Sequence, residues 1–401
     1  MLIFNVLIIG GGAAGFFAAI NTKQKNPNYN ILILEKGKDC LEKVRISGGG
    51  RCNVTNACTD IDLLLKNYPR GEKELKSAFH QFKTLDTVNW FKKQNIVLKT
   101  EPDGRMFPDT NQSETIVNCF LNLAHKLYIK VNTQQTVKSL QYKDEVWQIT
   151  TQDTTYFTNK LVIATGSNTK IWNMLQEQGH NIIQPVPSLF SFKIKDERLS
   201  NLMGISANVS AKICDTKISA SGNMLITHWG LSGPAILKLS AWGARELFEK
   251  KYNFLVQINW LNNLSETETI KLLEDIKLIN SKKRVYSFSP FSFPKRLWEN
   301  LLYYVKISNE KNWADVSIKE IHSLAKELTQ SIFVVSGKNT FKEEFVTAGG
   351  VSLKEIDFKT MKSKVLPNVY FAGEVLNIDA ITGGFNFQNA WTGAFIASQN
   401  L

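Results

Sequence analysis

Nothing in this sequence approaches the ~18 uninterrupted apolar residues of a membrane-spanning helix, so neither a span nor a membrane partner is expected. The start, Met1-Leu2-Ile3-Phe4-Asn5-Val6, lacks the basic segment and cleavage site of a secretory signal and reads as a β-strand. Cysteine is sparse. Cys40, Cys52, Cys58, Cys119 and Cys214 are odd in number and scattered, which argues against a disulfide framework and for a reduced, cytoplasmic setting. No group of histidines, cysteines and carboxylates has metal-ligand spacing, so no metal site is expected. Internal repeats and low-complexity tracts are also missing.

What is present is an ordinary globular composition, 43% hydrophobic over 401 residues, too long for one simple core and suited to two or three units. The formal net charge is +12. A lysine-rich solvated surface is the simplest reading, although nucleic acid or another anionic ligand would also suit it.

The first forty residues spell strand, turn, helix, strand. Asn5-Val6-Leu7-Ile8-Ile9 is a continuous apolar run of the kind buried on both faces of a parallel sheet. Gly10-x-Gly12-x-x-Gly15 follows it, a helical pattern opens at Phe16, and Ile31-Leu32-Ile33-Leu34-Glu35 is the next strand. Glycine fingerprint, flanking elements and an acidic residue roughly 20 positions on together form a dinucleotide site. Gly10 makes the tight turn, Gly12 admits the pyrophosphate, and Gly15 lets helix and strand pack closely. The pyrophosphate would sit on free N–H groups at the positive end of the helix, and Glu35 would accept hydrogen bonds from an adenosine ribose.

Residues 134–138, 146–150 and 156–158 read as a β-meander, and Lys160-Leu161-Val162-Ile163-Ala164-Thr165-Gly166 as another buried strand. Beyond Pro187, Val209, Ala211 and Ile213, then Phe254, Val256, Ile258 and Trp260, alternate with period two. Three helical patterns follow. Ser265 and Glu268 form a capping box, Pro294 precedes Leu297, Leu301 and Val305 on one face, and Ile318, Ile321, Leu324 and Leu328 give the third. The expected organisation is an α/β domain at 1–189, an antiparallel β insert at 190–262, a helical insert at 263–331, and the α/β domain resuming at 332–401.

The fingerprint alone does not separate NAD from FAD. Further segments do: Lys43-Val44-Arg45-Ile46-Ser47-Gly48-Gly49-Gly50-Arg51-Cys52-Asn53, Ala164-Thr165-Gly166, Asn368-Val369-Tyr370-Phe371-Ala372-Gly373-Glu374, and Thr382-Gly383-Gly384-Phe385-Asn386. With Asp103-Gly104-Arg105-Met106-Phe107-Pro108 and Thr227-His228-Trp229-Gly230, they resemble the bacterial aminoacetone oxidase-like, or YhiN-like, FAD-binding flavoproteins, over nearly the whole chain. The resemblance implies a glutathione-reductase-type, Rossmann-like FAD domain split by a barrel-like β insert and a small helical insert. It implies FAD contacts at Gly10, Gly12, Ala13, Ala14, Gly15, Glu35 and Lys36, and along Lys43, Ser47, Gly48, Arg51, Cys52 and Asn53. Val137, Ala164, Thr165 and Gly166 would follow, and then Gly373, Glu374, Asp379, Gly383, Gly384, Phe385 and Asn386. Asn377 and Ala380 stand where the family pattern would have aspartate and glycine.

Arg105 and His228 are the candidates for the substrate side of the flavin, while Cys52 and Cys58 are read as reduced thiols and not as a redox disulfide. A second strand–glycine fingerprint–helix unit does not occur in residues 166–370, so NADH or NADPH would bind only transiently. The function expected is an FAD-dependent oxidoreductase, in which an unidentified small donor passes a hydride to flavin N5 and an acceptor removes the electrons. The alternative is an FAD-dependent tRNA-modifying or RNA-binding flavoprotein. Lys282-Lys283-Arg284 and Lys295-Arg296, interleaved with Trp298, Tyr303 and Tyr304, have the composition of an RNA surface. Helical spacing nevertheless turns part of the aromatic set toward a core, and the basic residues fall at element ends. No specific nucleic-acid partner is therefore expected.

Overall fold

The computed structural model describes residues 3–339 and 346–401; Met1 and Leu2 of the expected opening strand lie outside the described residues. The chain divides into two compact units, Met1–Pro187 with Lys342–Leu401, and Ser188–Phe341.

The first unit is built on a parallel sheet in the order Val369–Phe371, Thr155–Ile163, Ile3–Ile9, Ile31–Leu34, Lys130–Asn132. Val6, Leu7, Ile8, Leu32 and Ile33 are fully buried, as continuous apolar strands covered on both faces must be. The helix Ala13–Lys25 buries Phe16, Phe17, Ala18, Ala19 and Ile20. The C-terminal helix Phe385–Asn400 lies beside it, with the Phe17 and Trp391 rings 5.3 Å apart. Burial of a ring such as Phe17 contributes roughly 1.5–3 kcal/mol.

Two strands, Ser139–Lys143 and Val146–Thr150, lead antiparallel into Thr155–Ile163. The meander thus begins after residues 134–138, which were expected as its first strand. The first two are committed elsewhere, the Gln134 N–H donating to the Gly37 carbonyl at 2.9 Å and the Gln135 N–H to the Glu35 carbonyl at 2.8 Å, and only the Lys138 N–H reaches the meander, at the Thr150 carbonyl. The last meander strand and the buried strand ending at Ile163 are one continuous element.

The second unit contains a closed six-stranded barrel in the order Ser191–Ile194, Gly230–Ser232, Ser219–Thr227, Ser206–Ile213, Asn253–Asn259, Ser331–Asn339. Val209, Ala211 and Ile213 on one strand, and Phe254, Val256 and Ile258 on another, point inward as their alternation requires. Ile332 to Val335, placed by their apolar pattern in the returning α/β part, instead pair with both Ser191–Ile194 and Asn253–Asn259 and close the barrel. The helices Glu266–Ile279, Lys295–Tyr304 and Ile318–Gln330 share one apolar cluster with the barrel interior. Ser265 and Glu268 form the expected capping box. Ile321, Leu324 and Leu328 are buried, while Ile318, in the first turn, is exposed.

Candidate functional site

In the first unit the fingerprint glycines separate into two roles. A Cβ on Gly15 would lie 1.9 Å from the Gly10 carbonyl oxygen, and one on Gly10 2.3 Å from that of Ala164. Both positions exist for close backbone packing. A Cβ on Gly12 would meet no protein atom within 4 Å, and no side chain caps the helix end that Gly12 begins. Open space therefore faces the first N–H groups of the helix, at Ala13 and Ala14, where an anion is stabilised.

Beside this opening is a cavity of about 450 Å³ at the ends of the first two strands. Ile9, Leu34 and Val137 supply apolar wall, and Glu35, Lys36 and Thr165 polar groups. The Glu35 carboxylate is fixed at the rim, one oxygen accepting from the Gly11 N–H at 2.8 Å and the other from the Gly37 N–H at 2.7 Å. The backbone bonds of residues 134–135 to the 35–37 loop close the far side. An apolar slot for an adenine, a fixed carboxylate for a ribose and an uncapped helix end for a pyrophosphate are what the adenosine half of FAD needs.

The loop predicted to lie along the cofactor ends a broken helix. Within Glu42–Gly50, Ser47 is extended (ψ 150°) and Gly48 and Gly49 are left-handed (φ +58° and +68°), so helical bonding stops there. Cys52 is fully buried, and burial pushes its thiol up to about 12. Arg51 pairs with Glu101 at 2.6 Å, and its guanidinium lies 4.0 Å from the centre of the Phe107 ring. Arg105 donates to the other Glu101 oxygen at 2.8 Å and to Asp103 at 2.7 Å. The structure therefore joins a predicted cofactor residue and a predicted substrate-side residue through one carboxylate.

Lys43 pairs with Glu374 at 2.5 Å, and the second Glu374 oxygen accepts from the Thr347 N–H at 2.9 Å. Glu374 also lies beside Gly166, and Gly373 packs against Ala14. At the last helix the Asn53 amide satisfies both neighbours when its oxygen accepts from the Gly384 N–H at 2.9 Å and its nitrogen donates to the Thr55 carbonyl at 3.1 Å. The Asn386 side chain clamps Ala380 with two 3.0 Å bonds to its N–H and carbonyl, and Tyr68 donates to the Phe385 carbonyl at 2.7 Å. Gly383 and Gly384 give this helix an N-terminus with no side-chain cap.

Asp379 and His228 have surroundings of their own. Asp379 is completely buried in a two-pronged ion pair with Arg70, which makes it a structural anchor of the loop before the last helix. His228 is exposed in the turn between Ser219–Thr227 and Gly230–Ser232 of the barrel unit. Gln135, Thr136, Ser167 and Asn168 line the 450 Å³ cavity and escaped the sequence reading, because none belongs to a motif.

A strand–glycine turn–helix cradle completed by a returning C-terminal helix defines a flavoprotein oxidoreductase that binds FAD. The chain belongs to the HI0933-like family: residues 4–400 match the HI0933-like protein Rossmann domain. It is similar to the ribosomal RNA dihydrouridine synthase of Escherichia coli K12, 28% identical over 99% of this chain and 98% of that one. It is also similar to the 3-dehydro-bile acid delta(4,6)-reductase of Clostridium scindens, 24% identical over 98% of this chain and 97% of that one. The fold is shared with the 3-ketosteroid-delta4-(5alpha)-dehydrogenase of Rhodococcus jostii RHA1, at 12% identity and a TM-score of 0.51, covering 98% of this chain and 96% of that one. These relatives carry names other than aminoacetone oxidase, so the resemblance seen in the sequence stands at the level of the FAD-binding family. No helix among the described residues is long and apolar enough to cross a membrane.

Proposed function

We propose that this chain is an FAD-dependent reductase of a carbon–carbon double bond conjugated to a carbonyl group, with uracil in ribosomal RNA as its substrate class. The observation that carries this reading is the end-to-end similarity to a ribosomal RNA dihydrouridine synthase and to a bile acid delta(4,6)-reductase. Both names describe adding hydrogen across a double bond that a nearby carbonyl makes electron-poor. These relatives give RNA more weight than the charge of the sequence alone did. Bound FAD supplies hydride transfer at its N5 position. The overall reaction adds one hydride, drawn from a transiently bound nicotinamide donor, and one proton across the substrate double bond.

The protein's part is positioning and charge. The N–H groups at Ala13 and Ala14 would hold the pyrophosphate and Glu35 the ribose. The N-terminus of Phe385–Asn400 would face the pyrimidine end of the flavin with positive partial charge. Arg105, half-exposed beside Arg51, would donate to the substrate carbonyl and draw electrons from the double bond; His228 is the second substrate-side candidate. A small cyclic enone is the second reading, favoured by the bile acid reductase.

The test is to reduce the purified holoprotein anaerobically with NADPH or NADH, then add either unmodified ribosomal RNA or a 3-oxo-4-ene steroid. Flavin reoxidation by the RNA, with a two-hydrogen mass gain in its uridine, supports the proposal. Reoxidation by the steroid alone favours the second reading. Reoxidation by neither overturns both.

A further inference from the structure

We infer that the barrel unit carries a single-stranded RNA groove on its Lys295–Tyr304 helix, in which Tyr303 and Tyr304 stack on bases while Arg296 and Lys306 hold phosphates. This rests on the RNA reading above and adds where the nucleotides outside the reacting base are held.

The groove has a volume of about 1020 Å³ and is open to solvent; the helix lines it together with residues 200–202 and 306–309. Enclosed small-molecule sites span roughly 300–1,000 Å³, so an open trough of this size fits an extended chain better than a compact ligand. Leu297, Trp298, Leu301 and Leu302 are buried, which fixes the helix on the apolar cluster. Arg296, Asn300 and Tyr303 then fall on one face at i, i+4 and i+7. That face is unusual for a solvated helix, because Tyr303 is 77% and Tyr304 50% exposed.

Tyr304 does not hang freely. The Arg198 guanidinium lies 4.6 Å from the centre of its ring. Arg198 is itself fixed by Asp196 at 2.7 Å, by Glu327 at 3.1 Å and by the Ile332 carbonyl. A ring held in place and exposed is a stacking platform that loses little entropy on binding.

The charge favours a polyanion, with Glu299 the one carboxylate that lines the groove beside Arg296 and Lys306. Residues 280–311 hold seven lysines and arginines against two glutamates. Lys282, Lys283, Arg284, Lys295, Arg296 and Lys306 are all exposed. Among the described residues, Arg296 and Lys306 have no ion-pair partner, and both line the groove.

The experiment measures fluorescence-anisotropy binding of a labelled oligouridylate to the holoprotein over a range of salt. Its variants are Tyr303→Ala, Tyr304→Ala, Tyr303→Phe, the pair Arg296→Glu/Lys306→Glu, and a control pair, Lys319→Glu/Lys326→Glu, outside the groove. Retained flavin and an unchanged melting temperature certify each variant as folded. Stacking predicts about fivefold or greater weakening for each alanine variant, with Tyr303→Phe close to wild type. The Arg296/Lys306 pair should flatten the dependence of log affinity on log salt by about 1.4, for two lost phosphate contacts. Wild-type binding that the alanine variants leave intact would overturn the groove while leaving an RNA substrate standing. Equal losses in the control pair would show non-specific attraction and also overturn it. Absence of wild-type binding, with turnover of a small enone, would overturn the RNA reading itself.

Discussion

Two substitutions three residues apart should have opposite signatures, and the contrast tests whether Gly12 is left open for a cofactor. In Gly15→Ala the new Cβ would sit 1.9 Å from the Gly10 carbonyl oxygen, where real Cβ atoms keep at least 3.0 Å, so strand end and helix start must separate by about 1 Å. Overpacking of this kind costs about 1–3 kcal/mol, or roughly 2–12 °C in melting temperature for a unit of this size. In Gly12→Val the side chain enters empty space from an ordinary backbone conformation, φ −94° and ψ −167°. The apoprotein then loses only the modest N-cap advantage of glycine, about 1 kcal/mol or less. Its FAD affinity should collapse, because the branched side chain occupies the space before the Ala13 and Ala14 N–H groups. A cofactor at a thousand times its Kd stabilises by about 4 kcal/mol, so the holo melting temperature should fall far more than the apo one. The assay is thermal unfolding of stripped and FAD-reconstituted protein, with flavin fluorescence titration of each variant. The reasoning fails if Gly12→Val retains FAD, or if both variants destabilise the apoprotein equally.

Cys58→Ser should leave flavin reduction and reoxidation within a few-fold of the parent, since hydride transfer needs no thiol and burial raises both Cys52 and Cys58; loss of turnover with FAD still bound would point to a disulfide mechanism. Asp379→Ala should cost about 3–5 kcal/mol in urea unfolding, because it removes one partner of an ion pair in which Asp379 is wholly buried and the Arg70 side chain only 14% exposed. In the barrel unit, burial pushes the Asp196 carboxyl up, but hydrogen bonds and charge from Arg198 outweigh it and hold it below the usual carboxylate range. A depressed carboxylate stabilises the fold above its unfolded pKa of ~3.9, and that contribution is lost as pH falls through the lower folded value. The melting temperature should therefore drop below about pH 4, and drop less in Asp196→Asn.

Elements whose pattern and burial agree were legible in the sequence. The Ile3–Ile9 strand is apolar and buried from Val6 to Ile9, and Val209, Ala211 and Ile213 alternate and face a barrel interior. The capping box at Ser265 and Glu268 is a local device that needs no tertiary information. Partnership was not legible. Residues 332–335 announce a strand, but only hydrogen bonds to Ser191–Ile194 and Asn253–Asn259 decide which sheet it completes. Residues 134–138 have strand composition, yet bonds from Gln134 and Gln135 to the Gly37 and Glu35 carbonyls turn 135–137 into a cavity wall. The fingerprint announced its own glycines for the same reason that it could not announce Gln135 or Asn168: glycine is required by backbone geometry, whereas a wall residue needs only to be nearby.

The exposed tyrosines show how far helical periodicity carries. Tyr304 lies seven residues after Leu297, on the stripe that also holds Leu301, and periodicity alone assigns it to the core. It ends half-exposed at the last residue of the helix. Arg198, about one hundred residues earlier, covers part of the ring instead of a hydrophobic neighbour. Trp298, from the same aromatic set, is 1% exposed, as the pattern required. Composition alone therefore weighed the basic and aromatic residues of this segment as partly core and partly solvated charge. The structure separates them: the core keeps the tryptophan, and the two tyrosines remain on a basic surface.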